Sequence, residues 1–231
     1  MKRVLSRIII ASGVLLGCSM VSLSQAAEGV AKPDAAKGQQ LYDVGDAARG
    51  VLACASCHGA AGNSTIPANP NLAGQAHEYL ARQLNEFKPG PDNAPPARRG
   101  AGGANAVMTA FAAQLTPEDI QNVAYYLGQQ PLDYSTAATA TNEATAERGQ
   151  KIWRGGIPER RVPACAGCHS PNGAGLPAEF PRLAGQFPSY IEEQLKLFRS
   201  GYRNNVMMQE IADRMNDADI AAVSDYAAGL R

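Results

Sequence analysis

The sequence predicts an all-α protein made of two tandem, homologous domains. Three observations lead there. The chain repeats itself at a fixed offset, its apolar residues recur at helical spacing, and no segment alternates apolar and polar residues as a half-buried strand does. The offset is 111 residues: Gly38-Gln39 matches Gly149-Gln150, and Leu72-Ala73-Gly74-Gln75 matches Leu183-Ala184-Gly185-Gln186. Tyr79, Gln83, Leu84 and Phe87 likewise match Tyr190, Gln194, Leu195 and Phe198. Past Gly90, which matches Gly201, the offset falls to 100, so that Asp119-Ile120 matches Asp219-Ile220 and Tyr126 matches Tyr226. The first copy therefore carries an 11-residue insertion within 91–106, rich in Pro and Gly and expected to be a surface loop. Two copies are too few for a stacked array.

Residues 1–26 read as an export signal: Lys2, Arg3 and Arg7 form a basic start, Ile8 to Leu16 an apolar stretch, and Ser24-Gln25-Ala26 a small-residue cleavage site. Two alternatives stay open, a retained anchor and a lipidated Cys18 after Leu15-Leu16-Gly17. The apolar stretch is short of the roughly 20 residues a membrane span needs. Removing 1–26 leaves 18 basic against 21 acidic residues and no basic tract, which argues against a nucleic-acid partner.

Domain one is expected over 28–130, a Thr- and Ala-rich linker over 131–142, and domain two over 143–231. Asp34 caps a helix that runs through Leu41 and Tyr42. Tyr79, Leu80, Leu84 and Phe87 form one helical face, repeated from Tyr190 to Phe198. Thr116-Pro117-Glu118-Asp119 opens the last helix of domain one with an N-cap, a proline in its first turn and two acids; Asn216-Asp217-Ala218-Asp219 opens its counterpart.

The repeated core of each domain contains Cys-x-x-Cys-His, as Cys54-Ala-Ser-Cys57-His58 and Cys165-Ala-Gly-Cys168-His169. That pattern is the attachment signature of c-type haem. The thiols of Cys54 and Cys57, and of Cys165 and Cys168, would form thioethers to the haem vinyl groups, and His58 and His169 would each ligate an iron. Two motifs predict two haems, and a haem plate lets helices of such small domains pack around it. An exported chain meets an oxidising compartment, which favours disulfides but is also where bacteria attach c-type haem. All four cysteines beyond the signal lie in the two motifs.

A thioether opposite histidine raises the potential. Met108 is the only methionine between His58 and the linker, seven residues before Leu115; Met208 stands seven before Met215. These two are the expected sixth ligands, with Met207 the alternative to Met208. His77 is expected to have a surface or capping role, and Trp153, which matches Tyr42, to pack between terminal helices. A backbone carbonyl should hold the second ring proton of each axial histidine; the loops containing Pro67 and Pro177 are candidates to supply it. A thioredoxin-type dithiol needs a βαβ unit that the sequence lacks. Zinc ribbons space their cysteine pairs more closely and leave the trailing histidines unexplained.

With these motifs, the Leu-Ala-Gly-Gln segments at 72 and 183, Arg154-Gly155-Gly156, and Met108 and Met208 ahead of the last helices, the chain resembles the dihaem cytochrome c4 family. The resemblance implies two class I cytochrome c domains related by a pseudo-twofold axis, each wrapped around one covalent haem. It also implies a periplasmic carrier, not an enzyme, moving single electrons from a quinol-oxidising complex or dehydrogenase to a terminal oxidase or reductase, with peripheral inner-membrane association. The runner-up is a cytochrome subunit of a periplasmic dehydrogenase, for example one that oxidises sulfide with a flavin. A haem peroxidase or thiosulfate oxidoreductase would need an open or labile iron.

Overall fold

Short helices joined by Pro- and Gly-rich loops make up residues 32–231, the part of the chain that the computed structural model describes. The export signal expected at 1–26 lies outside these residues. Domain one contains α1 (Ala35–Val44), α2 (Ala55–His58), α3 (His77–Glu86), α4 (Val107–Gln114) and α5 (Pro117–Gly128). Domain two repeats the order with α6 (Glu143–Gly155), α7 (Ala166–His169), α8 (Pro188–Arg199), α9 (Val206–Asp213) and α10 (Asp217–Ala228). Among the described residues there is no strand, only isolated bridges, two of which (Asp46 with Val51, Ile157 with Val162) stand in equivalent loops. None of the described helices is long and apolar enough to cross a membrane.

In each domain the first helix crosses the last, α1 against α5 and α6 against α10. The repeated glycine makes this crossing possible. A Cβ on Gly38 would lie 2.1 Å from the carbonyl oxygen of Asn122, and one on Gly149 2.3 Å from that of Ala222. Alanine at either place would push the two backbones apart. The caps form as the sequence predicts. Asp34 accepts from the amides of Ala36 and Lys37, and Thr116 with Asp119, and Asn216 with Asp219, make reciprocal capping boxes. Around each crossing lies a separate core. One gathers Leu41, Tyr42, Leu80, Ile120, Val123 and Leu127; the other gathers Ile152, Trp153, Ile191, Leu195, Ile220 and Val223. Each such aliphatic side chain contributes about 1.5–3 kcal/mol of burial.

The two domains meet through reciprocal hydrogen bonds, as a pseudo-twofold axis requires. The Asn71 amide donates to Gln186 Oε1 (3.0 Å), and Gln186 Nε2 donates to the Asn71 carbonyl (3.0 Å). At the related place the Arg182 amide donates to Gln75 Oε1 (3.1 Å), and Gln75 Nε2 donates to the Arg182 carbonyl (2.7 Å). Both glutamines come from the repeated Leu-Ala-Gly-Gln segments, so each copy of the repeat supplies one side of the interface.

The insertion differs from expectation. Its ends are exposed turns, but Pro96 and Arg98 are buried. Arg98 pairs with Arg203 in an antiparallel bridge flanked by the bonds of the Arg99 amide to Tyr202 O (2.8 Å) and of the Asn204 amide to Ala97 O (2.7 Å). Arg98 and Arg203 are thus equivalent, at an offset of 105. Six of the eleven extra residues precede Arg98 and five follow it. Loops on both sides surround a buried contact with domain two, because a guanidinium inside an interface needs fixed acceptors that a free surface loop would not hold.

Candidate metal centres

Each Cys-x-x-Cys-His forms a single helical turn. The Cys54 carbonyl accepts from the amides of Cys57 (3.1 Å) and His58 (3.0 Å); the Cys165 carbonyl accepts from those of Cys168 (3.2 Å) and His169 (2.9 Å). Residues three and four apart on a helix share a face, so this turn sets two thiols and an imidazole side by side. None of the four cysteines is in a disulfide. Cys54 and Cys165 pack against the core of their own domain.

Both histidine rings are buried, each 7% exposed. Nδ1 of His58 lies 3.1 Å from the carbonyl oxygen of Pro70, and Nδ1 of His169 lies 2.9 Å from that of Pro181. A carbonyl only accepts, so Nδ1 carries the proton and Nε2 keeps its lone pair. These prolines stand in the loops considered from sequence, but they are not Pro67 and Pro177. Pro70 and Pro181 lie 111 apart, so the repeat offset applied to the prolines would have found them. Burial holds both imidazoles below the usual histidine range, only partly opposed by the prolyl carbonyls; at His58 the charge of Arg98 lowers the value further. The rings are therefore neutral at pH 7. Burial also pushes the thiols of Cys54 and Cys165 up to about 11. Among the described residues, no three His, Cys, Asp or Glu side chains form a metal cage.

The methionines separate by position. Met108, the second residue of α4, is half-buried; Met208, the third residue of α9, is half-buried too and packed against the second core. Met207 is 52% exposed, whereas Met215 is deep in the core beside α9. His77 stays apart from the motifs: it opens α3, its Nε2 is 3.0 Å from Gln121 Oε1 and its ring meets the edge of Tyr125. It pins α3 to α5. Tyr42 and Trp153 are buried between the terminal helices against Tyr126 and Tyr226.

A family model for cytochrome c matches residues 35–131 and 146–230. Cytochrome c4 of Azotobacter vinelandii is 40% identical over 198 residues, covering 82% of this chain and 91% of that relative. The chain belongs to the dihaem cytochrome c4 family. Its cofactors are two covalently bound haem c. The crystal structure of reduced recombinant cytochrome c4 from Pseudomonas stutzeri superposes with a TM-score of 0.70 at 35% identity, covering 86% of this chain and all of that one. A protein of Stutzerimonas stutzeri (strain A1501) named thiosulfate dehydrogenase electron acceptor is 36% identical over 220 residues, covering 94% of each chain. The residues present fit the haem groups. In each domain the first motif cysteine packs against the apolar core, and the buried, neutral imidazole beside it keeps the lone pair of Nε2.

Proposed function

We propose that the chain is a periplasmic carrier that passes electrons one at a time from a quinol-oxidising complex or dehydrogenase to a terminal oxidase or reductase. The observation that carries this reading is the duplicated histidine, buried, neutral and oriented by a prolyl carbonyl. Cys54 and Cys57 would hold one haem, with His58 and Met108 as the residues that would ligate its iron. Cys165 and Cys168 would hold the other, with His169 and Met208 in the matching roles. Bound haem supplies one-electron ferric–ferrous chemistry. The protein's own residues keep each imidazole in one tautomer, would offer a methionine thioether to each iron and surround the motif with apolar side chains. With a histidine and a methionine available to each iron, the proposed role is electron transfer without substrate catalysis.

A redox titration followed by visible spectra tests this reading. Two one-electron steps, both with methionine–histidine spectra, are expected. A colourless mature protein, or a mass equal to that of the polypeptide alone, would refute it. A second reading is supported by the relative named thiosulfate dehydrogenase electron acceptor. In it, the same chemistry serves one dedicated dehydrogenase. Rapid reduction by thiosulfate dehydrogenase, but not by a quinol-oxidising complex, would favour the dedicated role.

A further inference from the structure

The loops that orient the two motif histidines are held in different ways, and one arginine accounts for the difference. In domain two the chain from Ser170 to Arg182 folds into a small hairpin. Ser170 Oγ donates to the Gly175 carbonyl (2.8 Å), the Gly175 amide donates to the His169 carbonyl (2.9 Å), and Leu176 and Phe180 exchange both backbone bonds (2.9 Å each). At the tip Ala178 takes φ +64°, a left-handed conformation that a residue with a Cβ keeps only where its surroundings impose it. The returning limb carries the two groups that meet the imidazole: the Phe180 ring, edge-on at 5.9 Å, and the Pro181 carbonyl, 2.9 Å from Nδ1.

The tip is held from the other domain. Arg82, on α3, donates from Nη1 to the Ala178 carbonyl (2.9 Å) and from Nη2 to the Glu179 carbonyl (3.2 Å). Glu86 (3.8 Å) and the face of Tyr79 (5.5 Å), both on the same helix, fix the guanidinium in place. A planar fork of donors can take two successive carbonyls in one orientation only. Gln75 holds the end of the hairpin, exchanging two bonds with Arg182. In domain two the residue equivalent to Arg82, 111 positions on, is the exposed Glu193. A carboxylate only accepts, so Glu193 cannot hold the carbonyls of Pro67 and Ala68, which match those of Ala178 and Glu179. The loop of domain one is tied from within instead, by Asn69 to the Cys57 carbonyl (2.9 Å).

We propose that Arg82 is a positioning residue for the second metal centre: from domain one it clamps the hairpin that sets the ring of His169, whereas the equivalent Glu193 cannot do so for His58. The glutamine exchanges between the domains are symmetric, but this clamp runs one way. The reduction equilibrium of the second centre is thereby coupled to the docking of domain one. The inference rests on the proposed reading that His169 ligates the second iron.

The test uses the full, matured protein labelled with nitrogen-15. Covalent haem is counted by mass, and ring-current shifts of the carbon-bound protons of His169 in the ferrous protein report its ligation, so failure of that reading shows separately. R82A removes both donors from a half-exposed side chain. Solvent exchange of the Nδ1 proton of His169 should then quicken by about tenfold, with that of His58 unchanged. In about 1 M salt, where exposed charges are screened, the second centre should move about threefold toward the reduced state, because an imidazole with a looser acceptor donates less to its iron. R82K keeps the charge and reaches one carbonyl at a time, and should restore part of both effects. The proposal is overturned if exchange at His169 in R82A matches the parent protein, or if both histidines quicken together, which makes Arg82 a general clasp. It is equally overturned if the shift in the second equilibrium vanishes in high salt, which makes Arg82 a surface charge.

Discussion

Asn69 and Phe180 occupy the same place in the two domains, one residue before the proline whose carbonyl holds the motif histidine. Asn69 donates from Nδ2 to the Cys57 carbonyl (2.9 Å), whereas the Phe180 ring meets His169 edge-on with centroids 5.9 Å apart. The residue after each motif differs as well. Gly59 turns the chain at φ +75°, and a Cβ there would lie 2.0 Å from the Asn63 carbonyl oxygen. Ser170 accepts φ +68° and donates from Oγ to the Gly175 carbonyl (2.8 Å). The scaffold is thus repeated while the lining is not. Domain one surrounds its motif with polar bonds, and domain two closes on its histidine with Phe180 and Trp153. Polarity and burial around a metal set its potential, so the two centres are expected to be inequivalent.

The strongest way to break the comparison is to remove one attachment. With Cys165→Ala and Cys168→Ala together, mass spectrometry should find one covalent haem, and domain two should lose its protection in hydrogen exchange while α1 and α5 retain theirs. Two covalent haems in that variant would contradict the assignment. Next in size is the sixth ligand. Met108→Ala should lower the first potential by about 0.2 V, within the range axial ligands span. It should also admit carbon monoxide at one centre and halve the ferric methionine-to-iron charge-transfer band; Met208→Ala should do the same at the other.

Packing comes third. Trp153 fills the space between α6 and α10 and donates from Nε1 to the Pro171 carbonyl (3.1 Å). Trp153→Phe should cost about 3 kcal/mol in denaturant unfolding. Tyr42→Phe removes only a hydroxyl that donates to the Gly59 carbonyl (2.7 Å) and should cost about 1 kcal/mol.

Acid sensitivity sharpens the contrast further. At Asp219, burial raises the carboxyl, but hydrogen bonds from Arg160 and Arg148 and the capping amide outweigh it and hold the group below the usual range. At Asp119, burial is likewise outweighed by Arg49 and Thr116. A depressed carboxylate contributes stability that is complete above its unfolded value, about 3.9, and is lost as pH falls through the folded value. Asp219 has a side chain only 1% exposed and two arginine partners, against 17% and one for Asp119. Asp219→Asn should therefore remove about 2 kcal/mol at pH 7 and Asp119→Asn about 1 kcal/mol or less. Both differences should shrink below pH 4 in urea titrations. A comparably small effect is expected from Phe180→Asn, which gives domain two the polar residue of domain one. It should lower the second potential and cost about 1 kcal/mol; a rise in that potential would undo the reading of the two linings.

Much of the fold was legible because the repeat reports on itself. Gly38 and Gly149 mark the helix crossings, Thr116 and Asn216 mark the last helices, and the Leu-Ala-Gly-Gln segments turned out to supply interface glutamines. Arg98 escaped because the insertion divides on both sides of it, so its offset from Arg203 matches neither 111 nor 100. The insertion's composition reads as loop, and composition does not reveal that one residue within it has acceptors across an interface.

Sequence by itself determined the number of haem attachments, the duplication and the helical class, because thiol pair, histidine, caps and helical period are contiguous and local. Only the tertiary structure decided that Pro70 and Pro181 orient the histidines, that Asn71 meets Gln186 and Gln75 meets Arg182, and that two arginines lie buried between the domains. Those contacts join residues distant in the chain. They arise from how packed surfaces meet, which no local pattern encodes.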